Sequence, residues 1–257
     1  MPAPASPPRL WHLEVSHFSE KARWALDYKQ VPHRRRAALP GMHMAVALWL
    51  TGGSRVTFPV LEIDGQAIGD STAVIAALEE RFPERSLYPA DPEERARALA
   101  LEEFFDEELG PQIRHLAFHE LINEPRLFGE IAARAVPGPL GRSELLVGTY
   151  ARMYTSARFG VDDAAGAAVA REKVIAAMDR LDAELAAGDG THLVGNCFSV
   201  ADLTAAALFF PLANPDGAPV PSDQPVPPAL ELFREGLADR PGYTWIQDTY
   251  RRYRRPS

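Results

Sequence analysis

The stretch VTFPVLEIDGQAIGDSTAVIAALEERFP, residues 56–83, constrains this chain more than any other. It opens with an apolar run rich in branched side chains, Val56 to Ile63, which reads as a buried strand. Pro59 falls inside that run. Lacking an N–H, it belongs at a strand start, an edge or a special turn rather than in mid-ladder. Asp64-Gly65 is a strong hairpin signal, and Gln66-Ala67-Ile68 returns as a second short strand. Asp70 or Ser71 then caps a helix in which Ala73, Val74, Ala77 and Leu78 recur at helical spacing, and Pro83 stops it.

Upstream, LWHLEV (Leu10 to Val15) alternates as a first strand, and Glu20 to Lys29 runs as a helix. His33 to Leu39 forms a second strand, and Pro40 to Leu50 a short helix before Thr51-Gly52-Gly53. The element order is β-α-β-α-β-β-α. Residues 84–92, rich in proline and without periodicity, read as a linker.

Beyond the linker the pattern is helical. Glu93 to Leu109 keeps Ala98, Leu101, Phe105 and Leu109 on about one face, and Gly110-Pro111 interrupts it before Ile113 to Ile122. PGPLG at 137–141 is a loop, followed by helices over Ser143 to Phe159 and Val169 to Leu185. Ser199 and Asp202 form a capping box, with Phe198 and Leu203 at the staple positions. The helix behind them is apolar nearly all round, as a central helix must be. A proline-rich loop spans 211–228, and a last helix lies near 228–238.

Composition narrows the function classes. The 257 residues suffice for one large domain or two modest ones. A formal net charge of -8 argues against a nucleic-acid surface, and no apolar run is long enough to span a membrane. The single Cys197 excludes an internal disulfide framework and a CxxC redox pair, and reads as a small buried residue. Residues 1–8 read as a flexible extension rather than a signal peptide, so the chain is expected in the cytoplasm. His115 and His119 stand at metal-ligand spacing but lack a third ligand, so no metal is expected.

The ordered set Phe58-Pro59-Val60-Leu61, Asp64-Gly65 and Asp70-Ser71 resembles the glutathione-binding half of the glutathione transferase superfamily. SHFSEKARWAL (Ser16 to Leu26) is similar to the first strand–helix junction of its serine-type members, notably the tau, zeta and theta classes. The Ser199–Asp202 box resembles the family's capping signature in its C-terminal domain. The resemblance implies an N-terminal thioredoxin-like α/β domain over 9–83 and an all-helical C-terminal domain over 93–257. It also implies glutathione as co-substrate, a small electrophilic substrate, and a homodimer that buries apolar residues on the helix after Asp91.

On that resemblance Ser16 holds the hydroxyl that contacts the glutathione sulfur. Phe58, exposed by a cis Pro59, pairs with the cysteinyl backbone; Asp70 takes the γ-glutamyl ammonium, and Ser71 with its amides the carboxylate. Ser19 is an alternative hydroxyl. Thr57 stands where the family often has lysine or glutamine, and Arg36, His43 and Arg55 are candidates for the glycine carboxylate.

The chemistry needs a thiolate near neutral pH, whereas a free thiol titrates near about 8.5. Lowering that by two units requires about 2.7 kcal/mol of differential stabilisation. A hydrogen bond to a charged group supplies about 1.5–3 kcal/mol and a helix N-terminus about 0.3–1, so one serine hydroxyl at the start of a helix from Ser19 suffices. A plain helix cap is the competing role for Ser16 and for Asp70-Ser71. Two other readings compete with the enzyme: a non-catalytic carrier or interaction module built on the same fold, and a disulfide reductase. Serine where the reductase needs cysteine disfavours the last.

Overall fold

The computed structural model describes residues 7–38, 41–134, 143–220 and 224–254. The expected N-terminal extension lies largely, and the PGPLG loop wholly, outside these residues. Four short strands come first: β1 (Arg9–His12), β2 (Arg34–Ala37), β3 (Val60–Ile63) and β4 (Gln66–Gly69). They form one sheet in the order β2-β1-β3-β4, with β2 parallel to β1 and the other pairs antiparallel. Helices α1 (His17–Tyr28), α2 (Met42–Leu50) and α3 (Ser71–Arg81) complete the thioredoxin-like half in the expected order.

Local chemistry sets the boundaries. β3 begins directly after Pro59, so Val56 to Phe58 lie outside the strand they were read into: a proline cannot donate to the ladder. Asp64 and Gly65 both take positive φ (49° and 77°), the geometry a tight hairpin turn needs. The first helix starts earlier than its periodicity suggests. Ser16 is its cap, and its Oγ accepts the Ser19 N–H at 3.2 Å.

The second half is all helical: α4 (Pro92–Phe104), α5 (Gly110–Ile122), α6 (Pro125–Arg134), α7 (Glu144–Phe159), α8 (Ala164–Ala187), α9 (Val200–Ala213), α10 (Pro228–Glu235) and α11 (Pro241–Tyr253). Gly110-Pro111 does not break the chain as expected. A π turn over Phe105–Leu109 joins α4 to α5, and Pro111 sits in the first turn of α5, where its missing N–H costs little. Pro211 likewise lies inside α9, so the loop after that helix starts later than expected. α9 is buried almost throughout; the Asp202 carboxylate at its start accepts the N–H groups of Leu193 and Ser199, each at 2.8 Å.

The two halves share one core, in which Trp24 of α1 packs against Phe198 and Tyr250. An ionic cluster reinforces this seam. Glu20, fully buried, pairs with Arg23 at 2.8 Å and with Arg254, after α11, at 2.5 Å; Arg254 also reaches Asp27 at 2.7 Å. Leu99 and Phe104 of α4 are half-buried, and large apolar side chains stand exposed on α2 (Met42, Leu48, Trp49), α7 (Leu145, Leu146, Tyr150, Met153), α8 (Val169) and α10 (Leu232). Cys197 is exposed, not buried, because the adjacent Phe198 takes the inward position. No described helix is long and apolar enough to cross a membrane.

Candidate active site

Strand register brings the candidate residues to one end of the sheet. Trp11 of β1 pairs with Val60 of β3 and with Arg36 of β2, and Val60 pairs with Gly69 of β4. The segment leading to Ser16, the Phe58–Pro59 bond and the Asp70-Ser71 helix start therefore leave three neighbouring strands at the same edge. The backbone ties two of them directly, since Pro59 O accepts the Asp70 N–H at 3.2 Å.

Ser16 is half-buried in extended backbone (φ -83°, ψ 122°) at the mouth of α1. One lone pair of its hydroxyl accepts the Ser19 N–H, and its own O–H has no acceptor among the described residues. Ser19 is different. It is fully buried and its Oγ accepts the Leu13 N–H at 3.2 Å, a structural bond that takes it out of reach of a ligand in this conformation.

The Phe58–Pro59 peptide is cis. Phe58 is buried against Trp11 and His43, with ring centroids 6.3 and 5.8 Å away. Asp70 caps α3, accepting the Thr72 N–H at 2.9 Å, yet its backbone stands at φ 89°, where a residue with a side chain is strained by about 1–3 kcal/mol. Its carboxylate is 45% exposed and lies 4.0 Å from Arg55 Nη1. Ser71 is buried in the first turn of α3. Of the three candidates for a terminal carboxylate, Arg55 thus neighbours Asp70 instead, Arg36 is exposed on the edge strand, and His43 is buried beside Phe58.

Behind this edge lies a buried network that has no counterpart in the sequence reading. Lys21 Nζ, wholly inside, meets Glu102 at 2.8 Å, Asp106 at 2.5 Å and Thr72 Oγ1 at 2.8 Å, and Thr72 donates to Asp106 at 2.6 Å. The π turn carries Asp106 into this position. The network holds the first turn of α3 against α1 and the helical half, so the Asp70-Ser71 corner is set from both halves. Burial pushes the Glu102 carboxyl up against the opposing pull of Lys21. One residue pair away, Arg23 Nη1 donates to His12 Nδ1 at 2.8 Å; burial, with Arg23 second, pushes the His12 pKa down to about 3. The K-x-R spacing of Lys21 and Arg23 was visible, but not what either side chain holds.

The helical half forms the opposite wall. Tyr154 of α7 approaches His43 edge-on at 6.4 Å and donates to Met44 Sδ at 3.4 Å. Phe18 packs on Gly110 so closely that a Cβ there would lie 2.5 Å from the ring. Over Phe18 and Phe159 stands the Arg114 guanidinium, at 5.9 and 4.9 Å from the ring centres. His17 is buried with Nε2 unpartnered, and burial, with Arg114 adding to it, pushes its pKa down to about 3. His119 Nδ1 lies 2.7 Å from Val161 O, and among the described residues no group of three His, Cys, Asp or Glu could hold a metal ion.

The architecture can be set beside known proteins. Residues 10–86 match the family described as glutathione S-transferase, N-terminal domain, and residues 146–241 its C-terminal domain. A probable maleylacetoacetate isomerase of Caenorhabditis elegans is 28% identical over 163 residues, 63% of this chain and 71% of that protein. The maleylacetoacetate isomerase of Dictyostelium discoideum is 31% identical over 107 residues, covering 37% of this chain and less than half, 45%, of its own length. In fold, the chain is similar to a glutathione S-transferase of Ceriporiopsis subvermispora solved in complex with glutathione, at a TM-score of 0.64 and 20% identity, covering 96% of this chain and 98% of that one. Two domain matches in the right order, on a sheet and a helical half built as that family builds them, make this chain a member of the glutathione S-transferase superfamily.

Proposed function

We propose that the protein is a glutathione-dependent transferase of the serine type. The Ser16 hydroxyl donates to the glutathione sulfur and holds it as thiolate, which attacks a small electrophile lying toward the helical half. The single observation carrying this is the state of that hydroxyl. A serine has one donor and two acceptor lone pairs; here the cap uses an acceptor, and the donor is left for a ligand at the helix N-terminus. Capping and thiolate binding are therefore compatible, and the cap fixes the oxygen in place.

The Phe58 backbone, freed by the cis bond, receives the cysteinyl part of the ligand, and Asp70 with Ser71 the γ-glutamyl end. Strain at Asp70 favours a binding role, because a cap alone does not need φ 89°. Arg55, beside Asp70, joins that end rather than the glycine end. The assembly is a homodimer, as the family resemblance implies.

A second reading, a glutathione-dependent isomerase, is favoured by the names of the two curated relatives. It uses the same thiolate but returns glutathione, whereas transfer consumes it, so following glutathione consumption separates the two.

The test combines two variants. Ser16→Ala is expected to lose turnover about ten- to a hundredfold at neutral pH, with the bound thiol's pKa about one to two units higher. It also loses about 1 kcal/mol of stability with the cap. Ser16→Asp keeps a capping oxygen but offers no donor, so it keeps the stability and loses the rate. A wild-type rate and pH profile in Ser16→Ala would refute the hydroxyl mechanism; calorimetry showing no thiol binding at all would favour the carrier reading. Light scattering on the same samples reads the assembly, and a monomer at micromolar concentration refutes the dimer.

A further inference from the structure

We infer that the electrophile carries an anionic group, a carboxylate in the first instance, and that Arg114 and Arg158 receive it. The inference rests on the thiol-transfer reading above and names the substrate class of that site.

Other arginines of the molecule that are withdrawn from full exposure have acid partners. Arg23 is neutralised by Glu20, Arg254 by Glu20 and Asp27, and Arg240 by Asp179 and Asp182. Arg114 has no carboxylate partner and no hydrogen-bond acceptor among the described residues. It is partly buried between the Phe18 and Phe159 rings, and its charged neighbour is a second cation, Arg158, whose guanidinium lies 5.3 Å from the Phe159 ring centre. Arg158 is exposed and forms no ion pair among the described residues.

Burial and the like charge of Arg158 both push the Arg114 pKa down, and no acid opposes them. A half-buried guanidinium that feels a second, exposed one and no acid is best completed by an anion within reach of both. Stacking between rings leaves the guanidinium edge, with its forked donors, free for bidentate contact with a carboxylate.

The place is right for a substrate. Phe18, over whose ring Arg114 stands, is two residues from Ser16 in the first turn of the helix that Ser16 caps. His17 contributes no competing positive charge, since its buried ring is neutral at neutral pH. Two cations side by side in a chain of net charge -8 are a local arrangement rather than a share of the global field.

The experiment uses glutathione with two matched aryl chlorides: a chloronitrobenzoate with chlorine para to the carboxylate, and its neutral benzamide. In each, a C–S bond forms as C–Cl breaks, chloride leaves with the bonding pair, and the thiol proton passes to water. Each kcat/KM is divided by the uncatalysed rate. The benzoate is expected to be preferred by about tenfold or more, and Arg114→Met or Arg158→Met to bring the ratio toward one. Calorimetric binding of the benzoate, measured without turnover, should weaken by a like factor in both variants. An unchanged benzoate-to-benzamide ratio in both variants, or equal binding of the two compounds by the wild type, overturns the inference. Arginine-dependent binding of the benzoate without turnover of either compound upholds the anion site and refutes the thiol-transfer reading. Absence of both refutes the two together.

Discussion

On the sheet side the candidate contacts are placed by special backbone geometry: a cis bond before Pro59, a strained Asp70, and a serine at a helix mouth. On the helical side they are side chains on the faces of α5 and α7, with Arg114, Tyr154 and Phe159 projecting from otherwise regular turns. On the proposed function, the difference would let one fold keep a single thiol and change its electrophile. A peptide-like ligand is gripped by geometry that few sequences can supply, whereas a helix face can be rewritten one residue at a time without disturbing its hydrogen bonds.

The comparison fails if the halves are not one cooperative body. Glu20→Ala leaves Arg23 and Arg254 buried without their shared carboxylate, and should cost about 3–5 kcal/mol. Urea unfolding should still show one transition; two separated transitions would show that the halves stand independently.

Acid offers a second probe, because one buried histidine belongs to each side of the comparison. His12 lies within the sheet half, and His17 meets the helical half through Arg114. Both fall from 6.5 to about 3 on folding, so the unfolded chain binds protons that the folded one refuses. The associated stability is complete above about pH 6.5 and is lost as pH falls toward 3, by about 1.4 kcal/mol per unit for each ring. Each of His12→Gln and His17→Gln should remove about half of that slope in urea midpoints taken between about pH 7 and about pH 5. A slope unchanged by either variant would mean that the rings titrate normally.

Asp70→Gly sharpens the sheet side. Glycine accepts φ 89° without strain and costs only a few tenths of a kcal/mol as a cap, so the variant should gain about 1 kcal/mol of stability. It should at the same time bind glutathione more weakly. A variant that is more stable and binds as tightly would show that the strain has another origin.

The same contrast decides what the sequence revealed. Pro59, Asp64-Gly65 and Asp70-Ser71 mark a strand start, a hairpin turn and a helix start, where residue type and backbone geometry are linked, so each of these was legible. The Ser199–Asp202 box was legible for the same reason. The helix start at Ser16 was less so: the periodicity begins later, and only the bond from Ser19 N–H places the cap. Gly110-Pro111 misled because proline's rule assumes regular α turns, and a π turn evades it. The helix near 228–238 is not the last, because Pro241 opens α11, and α6, opened by Pro125, has no counterpart in the sequence analysis. Arg114 could not be singled out, since a side chain's lack of a partner is a property of space rather than of spacing.

The pairing of Arg254 with Glu20 and Asp27 also sets an order of events during synthesis. Glu20 and Arg254 are separated by 234 positions. At about 5–20 residues per second a ribosome needs roughly 12–47 s to pass from one codon to the other. Through that interval Glu20 and Asp27 lack their pairing with Arg254, and the Trp24 surface that Tyr250 later covers stays open. The nascent sheet half must therefore wait, exposed to any chaperone or neighbouring chain that meets it first, until α11 arrives.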